Sequence, residues 1–164
     1  MKIRLKKPPR SSGKAPGGRN RGFTILELML VVAVGATLTA LAVPAYTDYV
    51  EKARVVQAMA AIKRISEHID TYELENNFLP GALSDVGQGG QIDPWGNPYV
   101  YRNLTGLPPG QARKDQWLVP LNSDYDLYSV GKDGQSQLPL TVPVSKDDVI
   151  RANDGGFIGL AHLY

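Results

Sequence analysis

One acid, Glu27, interrupts an otherwise uncharged apolar run of 24 residues, Phe23 to Tyr46. A carboxylate deep in lipid costs on the order of 2.5 to 3.5 kcal/mol. Two arrangements tolerate it. One turn in from the headgroups it is solvated and idle. Deeper, it must meet a cation. A free amine at Phe23, four residues and about one helical turn away, would be such a cation. That amine exists only if the chain is cut between Gly22 and Phe23.

A second group of acids lies near the carboxyl end. Asp124, Asp126, Asp133, Asp147, Asp148 and Asp154 face only Lys132, Lys146 and Arg151 in the same stretch. Such a stretch is a solvated acidic loop or a calcium site, because Ca²⁺ takes six to eight hard oxygens from carboxylates and carbonyls. The EF-hand pattern is absent. Catalytic chemistry finds little support. His68 and His162 stand apart, without a partner at metal-ligand spacing. There is no nucleophile elbow, P-loop or dinucleotide fingerprint. The absence of cysteine excludes disulfides and thiolate metal sites.

These residues need elements to hold them. As a helix the apolar run reaches roughly 36 Å, more than the ~30 Å hydrocarbon core. It reads as a membrane span, with a secretory signal peptide ending near "ALAVPAY" as the competitor. Before it, residues 1–22 hold eight bases and no acid. The positive-inside rule keeps that tail in the cytoplasm. The remaining ten bases face all 16 acids, a balance of −6 that argues against nucleic-acid binding. Beyond the span, Val55, Met59, Ile62, Ile65, Ile69 and Tyr72 recur at helical spacing and predict one continuous helix from about Thr24 to Glu75. Pro44 should kink or locally melt it near Ala40. Gly81 to Tyr99 reads as a wrapping loop. "YVYRN", "QWLVPL" and "DYDLYSV" predict a meander of three short strands, with Trp95 and Trp117 in the core.

"GFTILE", Gly22 to Glu27, ahead of an apolar helix resembles the class III signal of type IV pilins and type II secretion pseudopilins. Pro44 falls where that family commonly carries a kinking proline. "DPWGNPY", Asp93 to Tyr99, and "DLYSVGKDG", Asp126 to Gly134, are similar to motifs of the type II secretion major pseudopilin. The 22-residue leader is longer than is typical. The resemblance implies an α+β pilin fold, with a long N-terminal helix on a small antiparallel sheet and a loop-rich carboxyl end. It implies a leader over 1–22 removed by a prepilin peptidase, N-methylation of Phe23, an assembly helix over 23–46 and a periplasmic domain over 47–164. Glu27 would offset the amine of a neighbouring subunit. It also implies one Ca²⁺ in the loop after the strand, held by Asp133, Asp147 and Asp148 and by the carbonyls of Ser129 and Val130. "GQSQLPLTVPVSK", between Asp133 and Asp147, is longer than the family's spacing. The expected role is a non-enzymatic subunit of a secretion pseudopilus. It would sit in the bacterial inner membrane with one pass, and its partners would be itself, other pseudopilins, the peptidase and an inner-membrane assembly platform. The alternatives are a type IV pilus or DNA-uptake pilin, and a monomeric membrane-tethered calcium- or ligand-binding module.

Overall fold

The computed structural model describes residues 22–164. The basic leader and its expected cytoplasmic placement lie, except for Gly22, outside the described residues. The chain divides into an apolar stem, up to Ala42, and a folded unit, Val43–Tyr164.

Helix α1 covers Ile25–Asn76, close to the expected limits. Thr24 starts it: its Oγ1 accepts the backbone N–H of Glu27 at 3.2 Å. Thr-x-x-Glu is also the sequence signature of a capping box, and an acid in the first turn suits the positive end of the helix dipole. The helix stops at Asn77, which takes a left-handed conformation (φ 61°) and donates its N–H to the Glu73 carbonyl at 2.7 Å. The predicted melting near Ala40 does not occur, since the helix runs unbroken through Ala40 and Pro44. Proline inside a helix removes one N–H and crowds the carbonyl four residues back, yet a spanning helix tolerates it where local adjustment satisfies the freed groups.

In the folded unit α1 buries a narrow stripe, Ala58, Ile62, Ile65 and Ile69. The stripe packs on Tyr125, Leu127 and Val149 of the sheet and on Leu79 and Tyr99 of the loop after the helix. Val55 and Met59 are only partly buried at its edge. The sheet is an antiparallel meander in the order β1 (Val100–Asn103), β2 (Tyr125–Ser129), β3 (Val149–Ala152) and β4 (Phe157–Leu160). Val100 pairs with Tyr128, Tyr128 with Ile150, and Ile150 with Gly159.

This corrects the three-strand expectation in two ways. "QWLVPL" forms a turn closed by an isolated Lys114–Pro120 bridge. The stretch read as a carboxyl-terminal loop supplies β3 and β4, and every residue of β3 is buried. Alternation explains β3. Val149 faces the helix, whereas Ile150 and Ala152 face a second core with Leu121, Leu140 and Ala161. The sheet is therefore covered on both faces, by α1 on one and by irregular chain on the other.

Candidate functional site

The stem presents Phe23, Glu27 and a wholly exposed apolar surface. Every described residue of the stem, Gly22 to Ala42, is exposed. Two of its hydroxyls are turned onto the helix's own carbonyls: Thr37 donates to Ala33 at 2.9 Å and Thr39 to Gly35 at 2.8 Å. Polar groups satisfied within the helix are what lipid requires. Glu27 remains the one charge on this surface.

The second site is the loop between β2 and β3. Gly131 (φ 68°) lies so close to Asp147 that a Cβ there would stand 2.5 Å from the Asp147 carbonyl oxygen, so glycine is required. Asp147 Oδ2 accepts the N–H groups of Lys132 at 2.9 Å and Asp133 at 3.1 Å. Asp133 Oδ1 accepts the Gln135 N–H at 2.8 Å. Asp133 and Asp147 thus hold one tight loop. Ser129 pairs with Val149 in the sheet, and its hydroxyl donates to Asp93 Oδ2. Val130 is half-buried between Ser129 and Gly131.

Asp148 is held by a different partner. Fully buried, it receives Arg113 Nη2 at 2.6 Å and the Ser136 hydroxyl at 2.6 Å, both on Oδ2. Arg113 is itself buried and stacks over the Tyr128 ring at 4.0 Å. Its N–H donates to Asp126 Oδ2 at 2.7 Å, and Asn122 donates to Asp126 Oδ1 at 3.1 Å. A parallel pair lies beyond: Arg151 grips Asp124 through two bonds of 2.8 and 2.6 Å and stacks over Tyr125 at 3.9 Å. Among the described residues no three Asp, Glu, His or Cys side chains gather as metal ligands. Of the five residues expected around Ca²⁺, Asp133 and Asp147 share one tight loop, and Asp148 is turned to Arg113. Two backbone N–H groups point at Asp147, and a guanidinium is bound to Asp148. Sequence reasoning missed Arg113 and Ser136, and placed Asp126 among the acids without assigning it a partner. Nothing local in "PGQARKD" marks a buried cation, or Arg113 rather than Lys114.

Burial pushes the Asp148 carboxyl up to about 6, against the opposing pull of Ser136 and Arg113. A 2.6 Å ion pair alone would lower it. The lost hydration outweighs the pair because Oδ1 is buried without a hydrogen-bond partner.

A long helix with a lipid-compatible stem, laid on a short antiparallel meander with an irregular carboxyl end, defines a pilin-like membrane subunit. The described prokaryotic N-terminal methylation motif matches residues 17–43. The type II secretion system core protein G of Pseudomonas aeruginosa is 33% identical over 135 residues, covering 70% of this chain and 84% of that protein. That of Aeromonas hydrophila is 31% identical, covering 72% and 87%. A fimbrial protein of Neisseria meningitidis is 26% identical, covering 82% and 80%. No solved structure matches the chain significantly. The chain belongs to the family of type II secretion system core protein G, the pseudopilins, and is a structural subunit rather than an enzyme.

The raised Asp148 carboxyl gives a signed pH dependence. The folded state holds this proton more tightly than the unfolded chain, so its contribution to stability is full below about pH 4 and is lost as pH rises through about 6. Relative to Asp148→Asn, the wild type should gain up to about 3 kcal/mol between pH 7 and pH 4. Paired denaturant titrations across that range would read it, and a difference independent of pH would refute the assignment.

Proposed function

We propose that the chain is cut between Gly22 and Phe23 by a prepilin peptidase, is N-methylated on Phe23, and then leaves the inner membrane to join a periplasmic pseudopilus. The observation that carries this reading is Glu27, alone on the exposed apolar surface of α1 and one turn from Phe23. In a packed filament of stems that acid needs a positive partner. The Phe23 amine of a neighbouring copy supplies one, and its own amine serves the next copy. The basic leader stays in the cytoplasm and the folded unit lies in the periplasm. The other partners are further pseudopilins and an inner-membrane assembly platform.

The acidic loop has its own proposal. Its closing cation comes from within the chain, as the Arg113 guanidinium, and closure does not depend on calcium. The buried Arg113–Asp148 pair and the backbone donors on Asp147 support this. Arg113 also ties the two long connections of the outer face together through Ser136.

Intact-mass and N-terminal peptide analysis of the chain from a host with the peptidase should give a mature protein starting at methylated Phe23. A start near Ala45, or an uncut leader, would remove the proposal.

Glu27→Ala should be cut and inserted normally yet form no filaments, while Glu27→Asp restores part of the yield. Wild-type filament yield from Glu27→Ala would return this acid to a solvated, idle role.

Thermal melting of the full chain in detergent should give the same midpoint in calcium, magnesium or chelator. Arg113→Met should lower stability by about 3 to 5 kcal/mol at pH 7, since it strands a buried carboxylate. A midpoint that rises specifically with calcium would restore Asp133, Asp147 and Asp148 as its ligands.

A further inference from the structure

The same turn occurs twice in this chain. Asp93-Pro94-Trp95-Gly96-Asn97-Pro98 and Asp115-Gln116-Trp117-Leu118-Val119-Pro120 share Asp, Trp and Pro at equal spacing. In the first, the Asp93 N–H donates to the Asn97 carbonyl at 2.7 Å, the Gly96 N–H donates to the Asp93 carbonyl at 3.0 Å, and Asp93 Oδ1 accepts from Trp95 and Asn97. In the second, the Asp115 N–H donates to Val119 at 2.9 Å, the Leu118 N–H donates to Asp115 at 3.2 Å, and Asp115 Oδ1 accepts from Trp117 and Val119. The closing bridges, Ile92–Pro98 and Lys114–Pro120, fall at the same offsets. Position four is left-handed in both, as Gly96 (φ 97°) and Leu118 (φ 64°).

The two turns differ in what their indoles meet. Trp95 packs against the helix-side core and donates its Nε1–H to Glu51 of α1 at 2.7 Å. Trp117 is 72% exposed, with Leu118 and Val119 exposed beside it. Leu118 keeps an apolar side chain in a backbone conformation that glycine would take without strain. A Trp-Leu-Val tip held out by a rigid turn is an exposed apolar knob with an unused indole donor, of the kind that marks an interaction surface.

The first turn shows what seats such an indole: an apolar wall on α1 with a carboxylate to take the N–H. A second seat of this kind adjoins the first. A groove of about 390 Å³ lies between Val55, Val56 and Leu160, rimmed by Asp48, Glu51 and Lys52; Glu51 already takes the Trp95 indole, which leaves Asp48 as the open acceptor. Val56 is 63% exposed, and Asp48 makes no hydrogen bond among the described residues. We propose that the Trp117–Leu118 knob of one copy docks in this groove of a second copy, with the Trp117 indole donating to Asp48. Knob and groove are different patches, so the contact is head-to-tail, and repetition of one such contact builds a filament. The inference rests on self-assembly of the chain and adds a contact between the folded units to that made by the stems.

The chain has no cysteine, which makes the test clean. Gln116→Cys, beside the knob, and Lys52→Cys, on the groove rim, would be placed in the full chain and assembled in a bacterium carrying its secretion machinery. A short thiol-to-thiol cross-linker should turn the double variant into a ladder of covalent oligomers. Co-expressed single variants should give dimers, and neither variant alone should. Adding Trp117→Ser should abolish the ladder and cut filament yield at least tenfold while leaving the melting midpoint unchanged. Filaments that form without the cross-link would overturn the docking alone, as would dimers from Gln116→Cys by itself or a cross-link to a different protein. Absence of wild-type filaments would overturn the docking and the assembly reading together.

Discussion

This four-stranded sheet carries apolar side chains on both faces, Tyr125, Leu127 and Val149 on one and Ile150 and Ala152 on the other, so both must be kept from water. That constraint organises the folded unit. The α1 stripe of Ala58, Ile62, Ile65 and Ile69 covers one face with a regular element. No second helix covers the other among the described residues, so that side is closed by two long connections. Irregular chain cannot satisfy its own polar groups as a helix does, and buried polar groups must find partners. The buried polar network of Arg113, Asp126, Asn122, Ser136 and Asp148 is the consequence. It ties the connection before β2 to the connection after it, and both to β2.

Placing charges in such a network has a known weakness. Desolvation opposes the ion pair, and the raised Asp148 carboxyl shows which effect prevails at this site. The geometry still favours arginine. Its planar guanidinium stacks on Tyr128, as Arg151 stacks on Tyr125, while the edge reaches a carboxylate. Two stacked arginines on adjacent parts of the sheet each tie a carboxylate of a distant segment to it. Their specificity is in orientation, since a lysine could not both stack and span.

The stem obeys the opposite rule. Among the described residues it has no tertiary partner and leaves its apolar surface bare, with the Thr37 and Thr39 hydroxyls folded back onto the helix. Such a surface is at ease only in lipid or against copies of itself. The folded unit repeats the theme on a smaller scale, where one tryptophan turn is seated on its own helix and its twin is left open. A subunit that must exist first in a membrane and then in a filament keeps unsatisfied surfaces for the second state.

The sequence alone determined whatever depends on neighbours a few residues apart. The long helix, its apolar stem, the Thr24–Glu27 start, the isolated acid and the Asp93–Pro98 turn all follow from local spacing, and they sufficed to indicate the family and the fold class. The tertiary structure decided what depends on residues far apart. β3 and β4 lie in a stretch too charged and too rich in turns to read as strands; Val149 and Ile150 become core because α1 and Leu121 approach them from opposite sides. Arg113 and Asp148 are 35 residues apart, so no periodicity could pair them. Trp95 and Trp117 sit in the same turn and have opposite fates, because only the first lies within reach of α1. Local pattern fixes a residue's conformation, but burial is set by what the rest of the chain brings to it.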